Sequence, residues 1–205
     1  MMTVLESIKL ATEYFAGKGI ESPRINAELL LAEIIKCKRL ELYLLFDRPL
    51  NENEIELYRE SIKRRGNFEP LQYILGKVEF YGLEFIVNKS VLIPRPETEI
   101  LVENILNNLL HAKEYIILDI GCGSGIIPIT LAVNRQNVVI VATDINEQAL
   151  NVAKQNSEKH NVSDRIKFTQ HNILSDGLNN FPAFDIIVSN PPYVSIENYS
   201  SLPAF

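Results

Sequence analysis

Cysteine is nearly missing from this chain: Cys37 and Cys122 are the two thiols in 205 residues. They lie far apart, with no CxxC and no histidine at ligand spacing nearby, so neither a disulfide framework nor a zinc site is suggested. Both are expected to be reduced and structural, and no metal is expected. Long apolar runs are missing too, since no stretch approaches the roughly 18 residues of a membrane span. "MMTVLESIKL" carries an acidic residue where a secretory signal needs a basic start and a long apolar run. These absences lead to the expectation of a soluble, cytoplasmic protein without membrane association. Positive charge is scarce as well: the net charge is −6, with 11 Lys/Arg against 12 Asp/Glu in residues 1–74 and 9 against 14 in residues 75–205. Neither part has the footprint of a protein that grips a polyphosphate backbone, so no direct nucleic-acid binding is expected. The one basic cluster, Lys63, Arg64 and Arg65, reads as a helix C-terminus, where cations are favoured. Internal repeats and low-complexity tracts are absent.

What is present is ample core material, 46% apolar residues, in two different patterns. Val4, Ile8, Ala11 and Phe15 recur at helical spacing, as do Ala27, Leu30, Leu31, Ile34 and Ile35. Ser22 and Pro23 read as an N-cap followed by proline at the first helical position. A short helix is predicted at "LELYLLF", and another after Asn51 with Ile55, Tyr58 and Ile62 inward. Residues 1–74 are thus expected to be a helical bundle, and nothing in them looks catalytic. Residues 75–90, "GKVEFYGLEFIVN" among them, place two β-prone runs around Tyr81 and Gly82, a hairpin and natural connector. Residues 91–205 then alternate helix and strand: helix 97–110, "YIILDI", helix 126–134, "VVIVATD", helix 146–160, "IKFTQ" and "FDIIVSN". That order predicts an α/β fold with a doubly wound parallel sheet and ligands at the carboxyl ends of its strands.

The first strand of that sheet runs into "GCGSGII". Gly121, Gly123 and Gly125 permit a tight turn and close approach of backbone to a ligand, ahead of a helix N-terminus. A dinucleotide site needs G-x-G-x-x-G, and its last position is Ile126, so that ligand does not fit. G-x-G-x-G with Asp119 two residues ahead is instead the pattern of S-adenosylmethionine sites. Asp119, Gly121, Cys122, Gly123, Ser124 and Gly125 are therefore candidate cofactor residues. Asp144 ends the second strand, where a carboxylate can accept both ribose hydroxyls. At the third strand's end, Asn172 and Ile173 either meet an adenine ring or form a helix cap with a buried isoleucine; His171 reads as a surface histidine. The fourth strand delivers Asn190, Pro191, Pro192 and Tyr193. Two prolines stop a strand and hold the residues beyond it in one shape. The Asn190 side-chain carbonyl and the Pro191 backbone carbonyl can accept the two hydrogens of a planar NH₂ group, and Tyr193 offers it a flat face. Asn190, Pro191 and Tyr193 are the candidate catalytic residues, Asn190 also bordering the cofactor, and with Pro192 they form the acceptor site.

"SPRINAELLLAE", "PLQYILGKVEFYGLEF", "VLIPRPETE", "ILDIGCGSG" and "SNPPYV", in this order, resemble the release-factor glutamine methyltransferase family (HemK/PrmC) over essentially the whole chain. The resemblance implies an S-adenosylmethionine-dependent methyltransferase domain preceded by a helical domain that docks peptide chain release factors. It further implies methylation of the side-chain amide of the glutamine in their Gly-Gly-Gln loop. Carried over by position, Gly121–Gly125, Asp144, Asn172 and Ile173 hold S-adenosyl-L-methionine, and Asn190, Pro191, Pro192 and Tyr193 hold the glutamine. The family fold has seven strands, of which four are accounted for here, so the C-terminal strands are expected to be missing. The alternatives are a nucleic-acid amino-methyltransferase, which would use the same corner on a base, and a non-catalytic binding fragment.

Overall fold

The computed structural model describes residues 2–110, 112–179 and 181–191. Pro192 and Tyr193 therefore lie outside the described residues. The chain parts between Leu75 and Gly76 into two compact units.

The first unit comprises α1 (Val4–Gly17), α2 (Pro23–Ile35), a 3₁₀ turn (Arg39–Leu44), α3 (Glu52–Gly66) and the short α4 (Leu71–Leu75). α1 and α3 start alike because their sequences do. Thr3 and Glu6 bond each other's backbone N–H groups at 3.3 and 2.9 Å, and Asn51 and Glu54 do so at 2.9 and 3.0 Å, two capping boxes. Val4, Ile8, Ala11 and Phe15 are buried as their spacing predicts, in one core with Ala27, Leu30, Leu31 and Leu42. Ile34, Ile35, Ile55 and Ile62 are only partly buried at its margin. Two details differ from expectation. Ser22 occupies the N-cap position with φ 48° and makes no side-chain cap; Asn26 Nδ2 instead donates to the carbonyls of Glu21 and Ser22 at 3.0 and 3.1 Å. The helix predicted at "LELYLLF" is a 3₁₀ turn in which Leu42 alone is buried. One inward side chain does not offset the cost of nucleating a full α-helix. The turn is fastened instead by Glu28, 1% exposed, which accepts from Arg39 Nη1 at 2.8 Å and Tyr43 OH at 3.1 Å.

The second unit opens with an antiparallel hairpin of β1 (Lys77–Phe80) and β2 (Leu83–Ile86). Its turn residues Tyr81 and Gly82 have φ 52° and 72°, the left-handed pair that matches strand twist in a two-residue loop. Phe80 and Phe85 are buried in this unit's core with Val102, Ile105 and Leu106. There follow α5 (Glu97–Asn108), β3 (Tyr115–Ile120), α6 (Ile126–Asn134), β4 (Val138–Asp144), α7 (Glu147–Lys159), β5 (Ile166–Gln170), α8 (Ile173–Asp176) and β6 (Ile186–Ser189). The four later strands make one parallel sheet in the order β5-β4-β3-β6. The chain steps outward from β3 through β4 to β5, then returns to β6 on the other side of β3. Such a reversal opens a crevice at the carboxyl ends of the strands. β6 is the sheet's edge among the described residues, and Ile187 on it is 53% exposed. Among the described residues no helix is long and apolar enough to cross a membrane.

Candidate active site

Four loops leave the carboxyl edge of the sheet, and each carries one group of the expected site residues. The loop after β3 is already held in shape from within. Gly121 and Cys122 both donate their N–H to the Thr143 carbonyl, at 2.8 and 2.9 Å, and Gly123 N–H donates to Asp144 Oδ2 at 2.9 Å. Asn156, fully buried on α7, donates to the Ser124 carbonyl at 2.9 Å. Cys122 is buried, and burial first, with the carboxylates of Asp119 and Asp144 behind it, pushes its thiol well above the ordinary range. It is a packing residue rather than a nucleophile.

The glycines differ in what they permit. A Cβ added at Gly121 or Gly123 would meet nothing within 4 Å, so the loop faces open space there. At Gly125, with φ 80°, a Cβ would stand 2.9 Å from Ile129 Cδ1 and 3.1 Å from Ala153 Cβ. Gly125→Ala should therefore lower the free energy of unfolding by about 2–4 kcal/mol, the sum of left-handed strain and overpacking. Gly123→Ala should cost about 1–2 kcal/mol. Urea titrations of the two variants check this, and equal losses would contradict the packing assigned to Gly125.

Beneath the loop lies Asp119, 0% exposed, with neither carboxylate oxygen paired to a protein donor. Burial, followed by the nearby charge of Asp144, raises its pKa to about 8. A buried carboxyl group left without a donor suits a cationic neighbour. The linkage has a definite sign. Because the folded pKa lies above the ordinary value of 3.8, the ligand-free fold gains stability from the protonated acid at low pH and loses it as pH rises toward about 8. The melting temperature of the ligand-free protein should fall across that window, and Asp119→Asn should flatten the profile; a wild-type profile already flat between pH 5 and 8 would remove this role.

Asp144 closes β4 with both oxygens engaged once: Oδ2 by Gly123 N–H, and Oδ1 by Asn146 N–H at 2.9 Å. Each retains a lone pair for a ligand hydroxyl. After β5, Asn172 Oδ1 accepts from Leu174 N–H at 3.1 Å and so caps α8; Ile173 is half-buried and Leu174 exposed. Of the two sequence readings, the cap at Asn172 is realised, while Ile173 retains accessible surface. His171 is no surface histidine: its ring meets Phe181 edge-on at 4.9 Å and its Nε2 lies 2.7 Å from the Gly177 carbonyl.

β6 brings Asn190 to the same edge, and Ser189 Oγ fixes the strand end by donating to the Ile120 carbonyl at 2.8 Å. The Asn190 Nδ2 donates to Thr98 Oγ1 on α5 at 2.9 Å, and Pro191 is exposed. Thr98 and Asn156 were not among the expected site residues. Each is a buried polar side chain whose partner lies 92 or 70 residues away in the chain, a separation no local pattern records. Among the described residues no group of three or more His, Cys, Asp or Glu is placed to hold a metal ion.

Residues 6–76 match the family described as PrmC N-terminal domain, and residues 96–201 the family described as Methyltransferase small domain. The chain is 41% identical over 207 residues to the release factor glutamine methyltransferase of Chlorobaculum tepidum, covering 98% of this chain and 70% of that protein. It is 40% identical to the protein of the same name from Rhodopirellula baltica, covering 98% and 69%. With that of Clostridium botulinum it shares 43% identity, over 86% of this chain and 62% of the relative.

Proposed function

Because this chain belongs to the release factor glutamine methyltransferase family, we propose that it transfers a methyl group from S-adenosylmethionine to the side-chain amide of the glutamine in the Gly-Gly-Gln loop of peptide chain release factors. The observation that carries the chemistry is the Asn190 side chain at the end of β6. One of its two N–H groups goes to Thr98, and its carbonyl oxygen is the acceptor for the incoming amide. The target nitrogen is a poor nucleophile, its lone pair delocalised into the amide. Two acceptors, Asn190 Oδ1 and the Pro191 carbonyl, take its two hydrogens and turn the nitrogen toward the methyl donor. A rigid corner makes that alignment cheap in entropy. When bound, S-adenosylmethionine supplies a methyl group on a sulfonium, an activated leaving group. The amide nitrogen gains the methyl carbon, the carbon–sulfur bond breaks, and one amide proton leaves to solvent.

The residues present fit that donor. Asp119, unpaired and buried, suits its cationic amino acid part; Gly121 and Gly123 leave the space above the loop open; and Asp144 has lone pairs for the ribose diol. Residues 1–74 are assigned to docking the release factor, 75–90 to the connecting hairpin and 91–205 to the methyltransferase domain. The substrate acts in translation termination, which places the protein in the cytoplasm. The acidic balance of residues 75–205 weighs against a base as acceptor, since a flipped base comes on a strand that basic residues hold.

The test is incubation of the full-length protein with labelled cofactor and, separately, a bacterial release factor, DNA or RNA. Label is expected on the release factor's glutamine, located by mass spectrometry. Label in nucleic acid alone would overturn the assignment.

A further inference from the structure

We propose that Thr98 is a positioning residue for Asn190, anchoring the asparagine amide on α5 so that its oxygen is held toward the acceptor group. The inference rests on reading Asn190 Oδ1 as the acceptor for an NH₂ hydrogen. An asparagine amide presents either its oxygen or its nitrogen to a site, and only the oxygen serves here: a nitrogen turned inward would place N–H against N–H. At the end of β6 the nitrogen is the end of the amide that meets α5. Asn190 Nδ2 donates to Thr98 Oγ1 at 2.9 Å, so Oδ1 points away from α5. Thr98 is itself held: it is 4% exposed, and its backbone N–H donates to the Arg95 carbonyl at 3.0 Å in the first turn of the helix. Its neighbour in that turn is also engaged, Glu99 Oε1 accepting from Tyr81 N–H at 2.7 Å. The segment "PETE" thus fastens the hairpin turn with Glu99 and the acceptor corner with Thr98, although Thr98 touches no substrate.

The experiment compares Thr98→Val, which keeps the shape and loses the hydroxyl, with Thr98→Ser, which keeps the hydroxyl. Two readouts are taken on the full-length protein. In ¹⁵N–¹H spectra the Asn190 side-chain NH₂ signal, identified by its loss in Asn190→Ala, should shift in Thr98→Val and return toward its wild-type position in Thr98→Ser. In turnover, Thr98→Val should lower kcat about tenfold, the worth of one hydrogen bond, with cofactor affinity unchanged and near-complete recovery in Thr98→Ser. In an Asn190→Ala background the same valine change should have no further effect on kcat, as coupled residues require and a merely structural threonine does not. An unmoved Asn190 signal in Thr98→Val overturns the proposal whatever the acceptor proves to be. So does an additive loss in the double variant. Failure of the wild type to methylate release factor, with the Asn190 signal still responding to Thr98, would overturn the proposed substrate and leave the positioning role standing.

Discussion

Asn190→Ala is expected to cut turnover on the glutamine acceptor by about 10² or more while leaving the affinity for S-adenosylmethionine nearly unchanged. The alanine removes the oxygen that orients the target nitrogen, an interaction that matters most as the nitrogen's lone pair is drawn out of the amide. It removes nothing from the glycine loop, whose internal bonds run to Thr143, Asp144 and Asn156. Fold stability should fall by no more than about 1–3 kcal/mol, since Asn190 is only half-buried and the chief loss is the bond to the buried Thr98 hydroxyl. Calorimetric titration of the cofactor beside single-turnover rates separates these effects. A cofactor affinity reduced as much as the rate would contradict the role assigned to Asn190.

The opposite partition is expected for Asp144→Ala, with cofactor affinity falling by about 10² or more, the worth of two hydrogen bonds to a charged group. Here the geometry predicts a double loss. The carboxylate offers its free lone pairs to the ribose, and it also holds Gly123 N–H from the loop side at 2.9 Å. Asp144→Asn should recover part of the affinity, since one oxygen remains. The same titration measures both variants, and an alanine variant that binds cofactor as tightly as wild type would remove Asp144 from the site.

The legible parts of this protein are those whose cause is local. Four strands alternating with helices, the glycine turn after "YIILDI" and the acid at the end of "VVIVATD" all arise from spacing within a few residues, and each lies where that spacing puts it. The 3₁₀ turn escapes such reading because "LELYLLF" has helical composition yet buries only Leu42 fully, and its fastening comes from Glu28 on another helix. His171 escapes it for the same reason, its partner Phe181 lying on a later loop. Within the site, glycines and carboxylates advertise themselves, whereas Thr98 is a threonine in a helix's first turn and Asn156 a polar residue amid a helix. Only the folded chain shows that both are buried and spoken for. Pro192 and Tyr193, read from the proline pair and the flat ring, lie outside the described residues.

Asn156 completes three hydrogen bonds with one amide: it donates to the carbonyls of Ile86 and Ser124 and accepts from the Ile86 N–H, at 3.0, 2.9 and 2.7 Å. Every donor it has, and its oxygen, are in use. To Ile86 it behaves as the neighbouring strand the hairpin lacks on that side, and to Ser124 as a brace. The hairpin is thereby wired to the cofactor loop through a single side chain. A ligand that stiffens that loop should slow the opening of the Ile86 amide, so exchange of one backbone proton with deuterated solvent becomes a gauge of site occupancy, read from the hairpin rather than from the loop itself.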